Sequence, residues 1–101
     1  MGYKKSLSFF TAVDNDKAPR VLRMSPMVSV YVFVVFSNKE ERIIPYERLR
    51  ELEEQPTELV ANYRRNEWSD EIILYERGYY AEINGKLFSS EQLYKISEKH
   101  G

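Results

Sequence analysis

Leu87, Phe88, Ser89, Ser90, Glu91, Gln92, Leu93 through Ile96 and Glu98 repeat in kind what stands forty-four residues earlier as Ile43, Ile44, Pro45, Tyr46, Glu47, Arg48, Leu49 through Leu52 and Glu54. Each copy follows an apolar strand-like run and a polar turn. A unit of strand, turn, strand and helix is therefore used twice, over residues 30–55 and 76–99. We expect an α+β fold: a mostly antiparallel sheet from the two units plus N-terminal strands, with helices packed mainly on one face. At 101 residues the chain reads as a single domain, 1–101, that buries about 65% of its unfolded surface.

Working upstream, Val28, Val30, Val32, Val34 and Phe36 alternate with Tyr31, Phe33 and Val35. Both faces of this strand are apolar, so it should be central, with its second face covered by the chain or by a second copy. Tyr31, Phe33 and Val35 are therefore the candidate homodimer interface. Arg20 to Met24 reads as a short strand that Pro26 breaks or confines to an edge. Tyr3 to Val13 reads as a further strand, and Asp14 to Asp16 as a loop.

Downstream, Pro45 should open a helix carrying Tyr46, Leu49 and Leu52 on one face. Pro56 should end it and start another, in which Leu59, Val60 and Tyr63 form a buried stripe and Arg64 and Arg65 cap the end. Glu71 to Phe88 reads as a three-stranded meander with turns at Arg77-Gly78 and Asn84-Gly85, which sets Tyr75 opposite Tyr80 and Ile83 opposite Lys86. One face then gathers Ile72, Leu74, Ala81, Ile83 and Phe88 as core, and the other Ile73, Tyr75, Tyr80, Glu82 and Leu87. The closing helix carries a capping box from Ser89 to Gln92 and a hydrophobic staple between Phe88 and Leu93.

The chemistry-bearing inventory is short. With no cysteine and one histidine, His100, no thiolate site or catalytic triad can be built, and no carboxylate spacing matches a calcium loop. The four glycines stand at ends and turns, so no phosphate-cradling loop exists. We expect no cofactor, no metal and no enzymatic activity. The longest mostly apolar stretch covers nine positions, Val28 to Phe36, with Ser29 inside it, where a membrane span needs about 20. No export signal is visible in the sequence. The expected setting is the cytoplasm, in a protein that does not enter membranes.

Charge is divided unevenly. Residues 1–39 hold six Lys or Arg against two Asp, and residues 40–58 hold seven Glu against three Arg. Two binding readings follow. In the first, a protein partner is met by the second meander face (Ile73, Tyr75, Tyr80, Leu87) or by the acidic helical side (Glu47, Glu51, Glu54), and the chain regulates or inhibits that partner. In the second, Lys4, Lys5, Lys17, Arg20 and Arg23, interleaved with aromatics, contact nucleic acid. A pI near 5.9 and the lack of a recognition motif favour the first. A small motif-free chain of this kind also suits an accessory protein of a phage or mobile element. For each surface the competing structural reading is plain: core packing for the tyrosine face, and salt-linked solvated helix for the glutamates.

Overall fold

The structure, a computed structural model, describes residues 18–28, 30–64 and 72–100. The strand expected over Tyr3 to Val13, the loop at Asp14 to Asp16, and Lys4, Lys5, Lys17, Arg65 and Glu71 lie outside them. The fold is α+β. Among the described residues, two antiparallel sheets and two short helices take the place of the one continuous sheet that the repeat suggests.

The larger sheet contains β1 (Val21–Met27), β2 (Tyr31–Phe36), β3 (Glu41–Pro45) and β7 (Glu98–Lys99), in the order β1-β2-β3-β7. The smaller contains β4 (Ile73–Tyr75), β5 (Tyr80–Ile83) and β6 (Lys86–Ser89) in sequence order. Helix α1 (Tyr46–Leu49) follows β3 and α2 (Ser90–Ile96) follows β6. Each half of the repeat therefore takes the same form, an antiparallel hairpin leading into a helix, with one copy in each sheet.

One core joins the sheets. Val32, Val34, Phe36 and Ile44 from the larger meet Ala81, Ile83 and Phe88 from the smaller, with Leu49 and Leu93 from the helices. Alternation explains the selection: Val32, Val34 and Phe36 are buried while Tyr31, Phe33 and Val35 are half-buried on the opposite, outer face. Ile44 and Leu49, like Phe88 and Leu93, enter this core together, as two staples would require.

The meander has the register its turns demand, with Tyr75 opposite Tyr80 and Ile83 opposite Lys86. Asn84 (φ 52°) and Gly85 (φ 81°) supply the two positive dihedrals of a type I′ turn. The other connection is longer than its Arg77-Gly78 signal indicates. Glu76, Arg77 and Gly78 all have positive φ, forming a left-handed turn between β4 and β5.

Strand β1 continues through Pro26 to Met27, beyond the stop expected near Met24, because it is an edge strand and needs no N–H at that position. Strand β2 starts later than expected, at Tyr31, because the Val30 N–H turns back to donate to the Met27 carbonyl at 3.1 Å.

The helices following Pro45 and Pro56 are much shorter than the apolar spacing suggests. Helix α1 has no side-chain cap and makes a single turn. Beyond it the backbone finds other partners: the Gln55 N–H donates to the Leu87 carbonyl (2.8 Å) and the Gln92 side chain to the Glu53 carbonyl (2.8 Å). Tertiary hydrogen bonds to β6 and α2 win over helix continuation. After Pro56 only a 3₁₀ turn forms, Thr57–Leu59, so the expected stripe reduces to Val60, which is buried, while Leu59 is exposed and Tyr63 half-buried. Arg64 ends no helix. By contrast α2 has the full capping box: the Gln92 N–H donates to Ser89 Oγ (3.1 Å) and the Ser89 N–H to Gln92 Oε1 (2.9 Å).

Candidate interaction surfaces

The hairpin between β1 and β2 exposes an apolar tip. Met27 is 40%, Val30 63% and Val28 87% exposed. Val28 also adopts φ 44°, where a β-branched residue is strained against its own backbone. Beside this tip runs a cleft of about 590 Å³, walled by Pro26, Val28 and Tyr46 and floored by Leu49, Ile83 and Phe88, with Arg50, Asn84 and Lys86 at its rim. Neither Arg50 nor Lys86 has an acidic partner among the described residues. The site thus combines apolar walls with positive charge that has no acidic partner among the described residues. Sequence reasoning missed it by assigning Val28 and Val30 to the strand. Pro26 ahead of a polar Ser29 was the available sign of a turn.

A second surface is the outer face of the larger sheet. Cross-strand pairing sets Arg23 opposite Val35 and Val35 opposite Glu41 in one row, Ser25, Phe33 and Ile43 in the next, and Met27, Tyr31 and Pro45 in the third. Tyr31, Phe33 and Val35 are thus brought together along the middle of this face. The His100 ring meets Phe33 edge-on at 5.4 Å. Arg23 and Glu41 are exposed, and neither forms an ion pair among the described residues.

The meander face divides. Leu87 has no exposed surface and Glu82 is 2% exposed, whereas Ile73, Tyr75 and Tyr80 are half-buried. Core packing therefore accounts for Leu87. The Tyr75 hydroxyl donates to Glu82 Oε1 at 2.9 Å, and its ring lies 5.4 Å from that of Tyr63. Burial, with the Glu82 carboxylate adding to it, pushes the Tyr75 hydroxyl up to about 12. On the opposite face Leu74, expected in the core, is 36% exposed on edge strand β4, where it stands opposite the small Ala81.

Glu47, Glu51 and Glu54 are exposed, and the first two line a depression of about 550 Å³ together with Arg48, Leu52 and Ile96. Arg48 bridges to Glu98 (2.9 Å), which dilutes the acidity there. Of the basic set, Arg20 is half-buried with its N–H donating to Ser37 Oγ (3.1 Å), and Arg23 is exposed. Glu41 and Glu98 share the face that Arg23 occupies.

A polar network fastens α2 to the larger sheet. Arg42 donates through Nε to Glu40 Oε1 (2.6 Å), reaches Ser97 and the Tyr94 hydroxyl at 3.3 Å, and stacks 4.3 Å from the Tyr94 ring centre. The Tyr94 hydroxyl donates to the same Glu40 oxygen at 3.1 Å. The Arg42 hydrogen bond holds the Glu40 carboxyl below its ordinary value, against an opposing push from desolvation. Every group here has a partner within the network, which is a structural tie between the β2–β3 hairpin and the last helix. Among the described residues no grouping of His, Asp and Glu could hold a metal ion, and no helix is long and apolar enough to cross a membrane.

No protein-family model, curated protein or solved structure matches this chain. Its function has to be read from these surfaces alone.

Proposed function

We propose that the protein is a non-enzymatic interaction module, working as a homodimer, that regulates a partner protein by docking one of its segments in the cleft beside the Met27 to Val30 tip. The observation that carries this reading is Val28. A β-branched side chain in the left-handed region costs about 1–3 kcal/mol, and such strain gathers at binding sites, where it is kept because the site needs it. Here it presents an 87% exposed apolar side chain at the edge of the cleft. The chemistry of the cleft selects the occupant: bulky apolar side chains for the walls, and carboxylates for Arg50 and Lys86. This favours an acidic, apolar segment over nucleic acid, because Arg50 and Lys86 are only two cations beside mostly apolar walls, whereas a bound phosphate backbone is held by several.

A random displayed-peptide library panned on the folded protein tests the reading. Enriched peptides should carry a large apolar residue beside Asp or Glu, and Arg50→Glu with Lys86→Glu should abolish their binding. Val28→Asn keeps a residue that tolerates positive φ and should weaken binding roughly tenfold, about 1.4 kcal/mol. Enrichment of Lys-rich or Arg-rich peptides, or binding indifferent to these substitutions, would overturn the assignment.

A further inference from the structure

We infer that two copies pair through the outer face of the larger sheet, about a twofold axis running along β2, with Arg23 of each copy on Glu41 of the other. The inference rests on the homodimer named above and gives it a face, an axis and a charge pattern.

The argument starts from the register. Arg23 and Glu41 both stand opposite Val35, one on β1 and the other on β3, so they flank β2 at equal distance in the same row. Rotation by 180° about an axis parallel to β2 and just outside the face places β1 of one copy over β3 of the other and preserves every row. Each Arg23 then meets a Glu41 of opposite charge, Ser25 meets Ile43, and Met27 meets Pro45. Along the axis Tyr31, Phe33 and Val35 each meet their own counterpart, the self-complementary contact of a twofold interface. Sheets packed face to face keep their strands within about 30° of each other, which this axis satisfies.

The alternative in-plane axis, perpendicular to the strands, reverses the rows and sets β1 over β1, so that no Arg23 falls on a Glu41. The charge pattern therefore selects the first arrangement. It also suits the surface: the middle stripe is apolar on the side away from the core, and among the described residues neither charged group at its borders has an ion partner. Three strands at about 4.8 Å spacing make a face roughly 14 Å wide. That is small for a specific interface, so the pairing should be of micromolar strength.

Sedimentation equilibrium between about 1 and 100 μM measures this pairing, since a micromolar dimer passes from mostly dissociated to mostly paired over that range. The wild-type chain should associate, while Arg23→Glu alone and Glu41→Arg alone should each be monomeric, with unchanged circular dichroism. An equimolar mixture of the two variants should restore the dimer mass, because both contacts then join opposite charges, and the double variant R23E/E41R should do the same. A monomeric wild type at 100 μM would overturn both the homodimer and this face. A dimer that survives either single charge reversal, as edge-to-edge pairing of β1 would, overturns the face alone. Peptide binding at the cleft is read separately from the mass, so the docking reading stands or falls on its own experiment.

Discussion

A side-chain carbon built on Gly78 would overlap the main-chain carbonyl oxygen of Val21. The left-handed turn between β4 and β5 is pressed directly against the first strand of the other sheet, and its φ of 96° is one that side chains rarely adopt. Both conditions admit glycine alone. Gly78→Ala should destabilise the protein by about 1–3 kcal/mol through overpacking, with backbone strain added. Thermal unfolding should show a melting temperature lower by several degrees at least, since each kcal/mol shifts a domain of this size by about 4–8 °C.

Tyr75 and Glu82 form a second exacting pair. Removing the hydroxyl in Tyr75→Phe leaves a carboxylate that is 2% exposed without its donor, a loss of about 1–3 kcal/mol at neutral pH. The pH dependence has a definite sign. The unfolded chain releases the tyrosine proton near 10, the folded chain only at about 12. The stabilisation is therefore fully present below pH 10 and is lost as pH rises toward 12. Denaturant unfolding of the wild type should weaken more steeply across that window than that of the phenylalanine variant.

Glu40 titrates in the opposite sense. Its carboxyl lies below the ordinary 4.5 because Arg42 hydrogen-bonds the charged form, so the stabilisation exists above that pH and disappears as pH falls through the lowered folded value. Glu40→Gln should melt below the wild type at neutral pH, and the two melting curves should converge on acidification below pH 4.5.

Ser89 should cost about 1 kcal/mol on replacement by alanine, the usual loss of an N-cap. The effect on helicity should be visible by circular dichroism, because α2 has only seven residues and its first turn depends on the reciprocal bonds between Ser89 and Gln92. Converting Pro45 to serine, with Arg48 kept so that its bridge to Glu98 survives, should lend α1 the cap it lacks and raise the melting temperature.

Local signals in the sequence carried much of this fold. The Asn84-Gly85 turn and the alternation around it determine the meander register to the residue. The serine at position 89 with the glutamine three places on determines where α2 begins, and Val32, Val34 and Phe36 identify the inner face of β2. What local pattern could not convey was competition from distant partners. Residues 50–55 have helical spacing, yet Gln55 is captured by Leu87 and Glu53 by Gln92, so the first helix stops after one turn. Division into two sheets likewise depends on which hairpin joins which edge. The cleft was illegible for the same reason, since its floor and rim come from Leu49, Arg50, Ile83, Lys86 and Phe88, segments that only the packed fold makes neighbours.

The hairpin tip lies at one end of β2, and a twofold axis laid along that strand does not reverse its direction. Both Val28 side chains, with the cleft beside each, would therefore sit at the same end of the pair, as two prongs rather than at opposite poles. A target carrying two copies of the docking segment on a suitable spacing would be held bivalently, the second contact forming at an effective concentration in the millimolar range and raising overall avidity by roughly 10²–10⁴. Two weak grips of this kind would make the protein responsive to clustered or oligomeric targets while leaving single ones free.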